Sequence, residues 1–261
     1  MFYWIYDYPT SYIGVLFGIV FCGVTVGGIF LFRPLFQSWI HGQRENNDMV
    51  GLVLSSFSVF YGLLIGLIAV AVYQNFSTLS DLVDKEAASI AALYRDISSY
   101  PDPVDDTLKS ELREYTRYTI DDSWPLESHG IIPPGGTDRI TAMFTTLSLF
   151  EPQKKSEEFL HAEALRQFNN LVELRRARLA NVNAGIPAVL WWVVGIGGML
   201  MIGIIWMLNT DIQVHILLGG ALSLFLGLTI FLIAALDHPF RGDLGVKPDP
   251  IRLVYDYMQQ K

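Results

Sequence analysis

The chain has 261 residues, of which 51% are hydrophobic and 17% are charged, and its formal net charge is −8. Its apolar residues are gathered into long uncharged blocks. This pattern excludes an ordinary soluble domain, because such blocks would expose too much apolar surface. The single cysteine, Cys22, excludes an intrachain disulfide and any metal site built from several thiolates.

Four blocks contain no Asp, Glu, Lys or Arg, and each is longer than the roughly 20 residues that a helix needs to cross a bilayer. They predict an all-α integral membrane protein with four transmembrane helices. The first block lacks a basic segment before it and is too long for a signal peptide, so we expect it to remain as a span. The blocks are residues 8–32, 49–80, 179–210 and 212–236.

The distribution of basic residues predicts the orientation of these spans, because lysine and arginine resist translocation. With four spans, both termini and the long central region share one side of the membrane. All Lys and Arg residues except Arg33 and Arg44 lie on that side. We therefore expect a multi-pass protein of the inner membrane with both termini in the cytoplasm.

Short connections join the first span to the second and the third to the fourth, which predicts two hairpins. The expected organisation is an N-terminal hairpin (1–73), a cytoplasmic helical domain (74–183), a C-terminal hairpin (184–236) and a cytoplasmic tail (237–261). Apolar residues at i, i+3 and i+4 predict helices in the cytoplasmic domain. These helices cover 75–100, 104–123, 137–150 and a stretch from 156 into the third span, with a loop over 125–136.

Signatures of catalysis are missing. His161 and Glu163 have the spacing that begins a zinc deaminase motif, but that motif also needs a pair of cysteines. The acidic run Asp102, Asp105 and Asp106 is a candidate calcium ligand set, although acids at a helix start more commonly interact with the helix dipole. We therefore expect neither an enzyme nor a cofactor or metal site, and no nucleic acid as a partner.

The second span carries the most patterned face of the four. Two interpretations fit this face: close packing of helices through small residues, or the wall of a water-lined pore with an apolar gate. The residues alone favour packing. One stripe holds Ser55, Ser58, Gly62, Gly66, Ala69 and Tyr73, and it is flanked by Phe57, Phe60, Tyr61 and Leu64.

Four separated segments carry a resemblance to a known family. They are ENNDMVGLVLSSFSVFYGLLIGLIAVAVYQNFSTLSDLVDKEAASIAALYRD in the second span and its continuation, EYTRYTIDDSWP at 114–125, PAVLWWVV at the third span, and LDHPFRGDLGVKPDP at 236–250. In this order they resemble the uncharacterised four-span bestrophin-like family over roughly residues 40–255.

The resemblance implies an oligomeric ion channel whose pore is lined chiefly by the second span. It implies a homo-oligomer, five subunits by analogy with two to four also compatible, passing small anions such as chloride or bicarbonate. Besides these ions, the expected partner is the lipid bilayer. By this analogy Phe57, Phe60, Tyr61 and Leu64 are candidates for an apolar constriction, and Gln74 lies at its cytoplasmic mouth. Ser55, Ser58, Gly62 and Gly66 complete the candidate pore lining.

The stretch LDHPFRGDLGV follows the fourth span. A metal site would need Asp237, His238 and Asp243 to converge, but the family pattern it resembles is Asp-x-Pro-Phe-x-Gly, in which the histidine position varies. We therefore interpret the stretch as a docking motif that ends the helix. Pro239 stops the helix, Phe240 packs the tail against the cytoplasmic helices, and Asp237 pairs with a basic residue such as Arg178.

A second hypothesis is a membrane scaffold or sensor that does not conduct ions. In that case the cytoplasmic helices would bind a partner protein, and side chains or lipid would fill the axis of the oligomer.

Overall fold

The computed structural model describes residues 3–39 and 44–260. Within these ranges the regular structure is entirely helical, which confirms the predicted all-α fold. Four helices are long and apolar enough to cross a membrane: Thr10–Phe36, Asn47–Ile97, Ala188–Trp206 and Ile212–Leu236. Residues 40–43, in the predicted connection between the first two spans, lie outside the described residues.

The helices follow one another with short connections. A 3-10 helix covers Tyr3–Asp7, and a π-helical turn at Thr119–Ser123 joins the third α-helix to the fourth. The α-helices are α1 (Thr10–Trp39), α2 (Arg44–Ile97), α3 (Val104–Tyr118), α4 (Trp124–Glu127), α5 (Gly135–Leu149), α6 (Lys155–Ala180), α7 (Ala188–Trp206), α8 (Ile212–Leu236) and α9 (Asp249–Gln259).

The helix predicted to continue the second span is confirmed, since α2 runs without a break to Ile97. The helix predicted to run from 156 into the third span is wrong, because α6 ends at Ala180 and α7 begins only at Ala188. Pro187 explains the separation: a proline disfavours helical geometry in the residue before it. The predicted loop over 125–136 also contains one helical turn, α4.

Two compact units make up the chain. The first contains Met1–Gln74, Gly185–Asp237 and Gly242–Leu244, and therefore α1, α7, α8 and the part of α2 up to Gln74. The second contains Asn75–Ala184, His238–Arg241 and Gly245–Lys261. Each unit has its own core of buried hydrophobic residues.

In the first unit, α1 and α8 pack closely through glycines. A Cβ atom added at Gly14 would lie 3.0 Å from the Phe231 ring, and one at Gly227 would lie 3.0 Å from Phe21. Small residues allow this approach where lipid supplies no hydrophobic drive for helix association. His215 is buried in α8, where its Nε2 donates to the carbonyl oxygen of Ile205 at 2.9 Å.

Helix α2 packs on α7 through one side chain in particular. Tyr61 is 5% exposed, and its hydroxyl donates to the carbonyl oxygen of Val194 at 2.6 Å. Its ring lies against Gly197 and Gly198, where a larger residue would collide with it. Ile65, Ile68 and Val72 extend the same buried face of α2 at helical spacing.

The core of the second unit is amphipathic packing of α2, α3, α5 and α6. The part of α2 beyond Asn75 contributes an apolar stripe at alternating spacings of three and four residues. The fully buried members of this core include Leu79, Ile90, Leu93, Leu108, Leu112, Met143, Leu147 and Leu171.

The Tyr61 packing predicts opposite behaviour for two glycines of α7. In Gly197→Ala the new methyl group overlaps the Tyr61 ring, so we expect a loss of about 1–3 kcal/mol in the free energy of unfolding. Gly195→Ala is the matched control, because its Cβ would meet no atom within 4 Å. Thermal unfolding of the detergent-solubilised variants measures both, and equal stability of the two variants would contradict the packing.

Candidate functional site

The face of α2 opposite Tyr61 is uncovered in the first unit. Its large side chains are strongly exposed, with Phe60 at 75% and Leu63 and Leu67 each at 63%. Gly62 and Gly66 on the same helix have open space where a Cβ atom would be. Among the residues that the structure describes, this part of α2 therefore packs through one side, and its other side exposes apolar and small residues.

The candidate pore residues divide according to this geometry. Tyr61 does not fit the candidate pore lining, because its side chain is buried against α7 and has almost no surface left to line a pore. Phe57 is half-buried and stacks on Tyr61, with ring centroids 5.7 Å apart. Ser58 and Leu64 are half-buried, whereas Ser55, Phe60, Gly62, Gly66 and Gln74 are exposed.

Serine hydroxyls on α2 are satisfied within the helix itself. Ser55 donates to the carbonyl oxygen of Gly51 at 2.9 Å, and Ser58 donates to that of Leu54 at 2.6 Å. Each hydroxyl oxygen can still accept a hydrogen bond from another group. The exposed Ser55 and Ser56 therefore add polar sites to the largely apolar uncovered face.

A buried charge cluster lies at the centre of the second unit. The guanidinium of Arg178, in the last turn of α6, donates through Nε to Glu86 at 2.5 Å and through Nη1 to Glu127. Tyr115 donates to Glu86 at 3.0 Å, and Ser123 donates to Glu127 at 2.6 Å. The cluster therefore ties α2, α3, the π-helical turn, α4 and α6 together.

Burial controls the protonation of this cluster. Arg178, Glu86 and Glu127 are at most 1% exposed. Burial alone would lower the pKa of Arg178, but the adjacent carboxylates of Glu86 and Glu127 hold that pKa above its ordinary value. Burial raises the pKa of Tyr115, and the charge of Glu86 raises it further, so this phenol stays protonated as a donor.

The two carboxylates of the cluster are not among the residues predicted from the sequence, although the position of one of them indicates a buried partner. Glu86 continues the apolar stripe of Leu79 and Val83 at helical spacing, a position where a carboxylate needs a buried partner. Glu127 carries no comparable local signal, because its partner lies in a distant helix.

The predicted docking partners Asp237 and Arg178 belong to different units. Asp237 is buried in the first unit, where its carboxylate accepts from the Ile186 amide at 2.7 Å and from Trp191 Nε1 at 3.1 Å. Its suggested partner Arg178 instead engages Glu86 and Glu127 in the second unit. Arg178 and Asp237 do not pair because each already has other partners. The buried guanidinium is bound by two carboxylates, and the Asp237 carboxylate accepts hydrogen bonds from groups at the start of α7.

The residues after Asp237 turn into the second unit. Pro239 and Phe240 are buried, and the Phe240 ring lies 5.3 Å from that of Trp124. The Val246 amide donates to the carbonyl oxygen of Pro239 at 2.8 Å, which closes the turn. Gly242 has φ 73°, a left-handed conformation that favours glycine.

Possible metal ligands have partners of their own. The carbonyl oxygen of Ala184 accepts from His238 Nδ1 at 3.0 Å, and Asp243 accepts from the Thr10 amide at 3.2 Å. Ligand oxygens of Asp102, Asp105 and Asp106 lie within 4.8 Å of one another. Lys109 donates to Asp105 at 2.8 Å and lowers the pKa of that carboxyl.

Comparisons with known proteins show similarity in sequence pattern and in overall fold. The pattern of the Bestrophin-like domain matches residues 19–251. A solved bacterial bestrophin homologue from Klebsiella pneumoniae is similar with a TM-score of 0.65 at 10% identity, over 94% of this chain and 97% of that chain. A mutant of that homologue gives a TM-score of 0.66 at 10% identity, over 94% and 99%. No curated protein matches the sequence.

The buried cluster predicts a large effect of removing its cation. Arg178→Ala leaves the carboxylates of Glu86 and Glu127 buried without compensation, so we expect a loss of about 3–5 kcal/mol in the free energy of unfolding. Arg176→Ala, an exposed position on the same helix, should change it by less than about 0.5 kcal/mol. Chemical denaturation in detergent compares the two variants, and similar midpoints would show that the cluster contributes little.

Proposed function

Because the chain belongs to the bestrophin-like family, we propose that this multi-pass membrane protein is an oligomeric channel that passes small anions such as chloride or bicarbonate. The α2 helices of several subunits line its pore. The protein lies in the inner membrane with both termini in the cytoplasm. Family membership supports an ion-channel kind of function, and the finer statements rest on the residues of α2.

The observation that carries the proposal is the uncovered face of α2. A membrane helix whose large residues pack on only one side has its other side available to lipid, to another subunit or to a conduit. Four spans enclose too little space for a conduit of their own. A pore along α2 therefore requires several subunits around one axis, and we take five by analogy with the family, with two to four also compatible.

Two stripes on the uncovered face supply the two surfaces that a ring of subunits needs. At about 100° per residue, Phe60, Leu63 and Leu67 form one stripe, and Ser55, Gly62 and Gly66 form another roughly a third of a turn away. The small residues suit close approach to the next subunit. The large apolar residues form a constriction that gates by excluding water, with Gln74 at its end on the same side.

The charge of the proposed path is compatible with an anion. Residues 49–80 contain no Asp, Glu, Lys or Arg, so neither a ring of carboxylates nor a ring of basic side chains would line the membrane part of the pore. Rings of acidic side chains are the usual device of cation channels, and rings of basic side chains that of anion channels. The neutral α2 face opposes neither sign of charge, and the choice of an anion rests on the analogy with bestrophins.

A scaffold that does not conduct is the second candidate. Apolar side chains remain exposed in the second unit, including Leu149 and Phe159, and such a surface fits a partner protein. In this alternative the protein forms an oligomer whose axis is filled by side chains or lipid. Phe159→Ser then weakens the binding of the partner protein to the cytoplasmic helices.

The channel proposal predicts a specific effect of Phe60→Ala. Purified protein in liposomes with a chloride gradient should carry a measurable ion flux. Removing the aromatic ring should increase that flux several-fold, because it widens the constriction. Phe225→Ala is the matched control, since Phe225 is 73% exposed on α8 and Phe60 is 75% exposed on α2. The control should conduct like the parent protein.

Three outcomes separate the parts of the proposal. Absence of flux under every gradient contradicts a channel and favours the scaffold. Equal flux in Phe60→Ala and Phe225→Ala contradicts the placement of α2 at the pore. A reversal potential that follows potassium rather than chloride overturns only the anion selectivity.

A further inference from the structure

Apolar side chains are exposed in the turn between α4 and α5. Leu126 is 40% exposed, Ile131 is 55% exposed and Ile132 is 47% exposed. Ile131 and Ile132 lie in a stretch that has no carboxylate, between Glu127 and Asp138, and Leu126 directly precedes Glu127, which is buried. The channel function does not use this patch.

Hydrogen bonds fix the backbone that presents the patch. The Ile131 amide donates to the carbonyl oxygen of Leu126 at 3.0 Å, and the Gly130 amide donates to that of Glu127 at 2.9 Å. Gly130 has φ 84°, so this is the hydrogen-bonded glycine stop that commonly ends helices. Leu126 and Ile131 are therefore held as a rigid pair instead of folding back into the core.

This turn lies at the end of the second unit where the chain continues into the spans. A Cβ atom at Gly130 would lie 2.9 Å from the side-chain oxygen of Asn183 and would also meet Arg241. Asn183 follows the end of α6 and precedes α7, and Arg241 closely follows α8. The turn therefore neighbours two of the points at which the chain passes between the second unit and the spans, the one before α7 and the one after α8.

The opposite end of the second unit lies far from this turn. Helices α5 and α6 run antiparallel, since a Cβ atom at Gly136 would lie 2.8 Å from Arg175 while the Phe150 ring lies 5.5 Å from His161. From His161 to Ala180, α6 extends about 28 Å at 1.5 Å per residue. Leu149 is 75% exposed at that far end.

We propose that Leu126, Ile131 and Ile132 insert into the headgroup region of the bilayer and dock the second unit on the lipid surface. Asn183 and Arg241, which neighbour the turn, are each only a few residues along the chain from a span, so a patch on this turn is within reach of the membrane interface. The absence of carboxylates suits anionic headgroups, which repel acidic side chains. Apolar groups at such an interface lie about 5–10 Å deep, at the headgroup and acyl boundary.

The test places a fluorescent probe at the patch. In a Cys22→Ser background, Ile132→Cys is labelled with an environment-sensitive dye, and the full-length protein is reconstituted in vesicles of phosphatidylcholine and phosphatidylglycerol. Leu149→Cys is the matched control, because it is an exposed apolar position at the far end, 75% exposed compared with 47% for Ile132. Lipids that carry a nitroxide near the start of the acyl chain quench a dye at the depth of about 5–10 Å expected for the patch.

We expect the dye at position 132 to emit at shorter wavelength than the dye at position 149 and to be quenched several-fold more strongly. A label at Ile131→Cys should behave like the label at 132. Equal quenching at 132 and 149 overturns the proposal. Short-wavelength emission at 132 without quenching by the nitroxide lipids also overturns it, because another protein surface then covers the patch. None of these results depends on ion flux, so the proposal stands or falls separately from the channel function.

Discussion

The insertion of Tyr61 between α2 and α7 determines which face of α2 is left uncovered. Lipid is as apolar as the helices, so close packing and hydrogen bonds must decide how two spans associate. Gly197 and Gly198 make room for the ring, and the carbonyl oxygen of Val194 accepts the hydroxyl proton. This contact fixes the rotation of α2, so that Phe60 and its neighbours point away from α7.

The same helix has a different role in the second unit. There one face of α2 is covered by other helices, and its carboxylate at Glu86 is buried with Arg178 and Glu127. A buried ion cluster adds little net stability compared with well-packed apolar groups, but it penalises any arrangement that separates its members. We interpret the cluster as a device that selects one register among α2, α4 and α6. One continuous helix thus combines an open face in the membrane unit with a closed core in the other.

Length and composition were sufficient to predict the four spans and the continuation of α2, because both depend on residues that are neighbours in sequence. The contacts that define the candidate site are not local. Periodicity shows that Tyr61 and Phe60 lie on different parts of one helix surface, but the glycines that cover Tyr61 lie more than a hundred residues later. For the same reason, the sequence pattern alone places Tyr61 among the pore residues and makes Arg178 a partner for Asp237. Three arginines precede α7, and sequence alone does not show which of them meets Glu86.

The central claim is that the uncovered face of α2 surrounds an ion path. Electron cryo-microscopy of the full-length protein in lipid nanodiscs tests it most directly, because the map gives the symmetry of the oligomer and the radius along its axis. The account predicts a closed ring with Phe60 directed at a continuous axial path and Tyr61 still packed on α7. An axis filled by lipid or side chains, or a Phe60 face covered by a neighbouring helix, would contradict it.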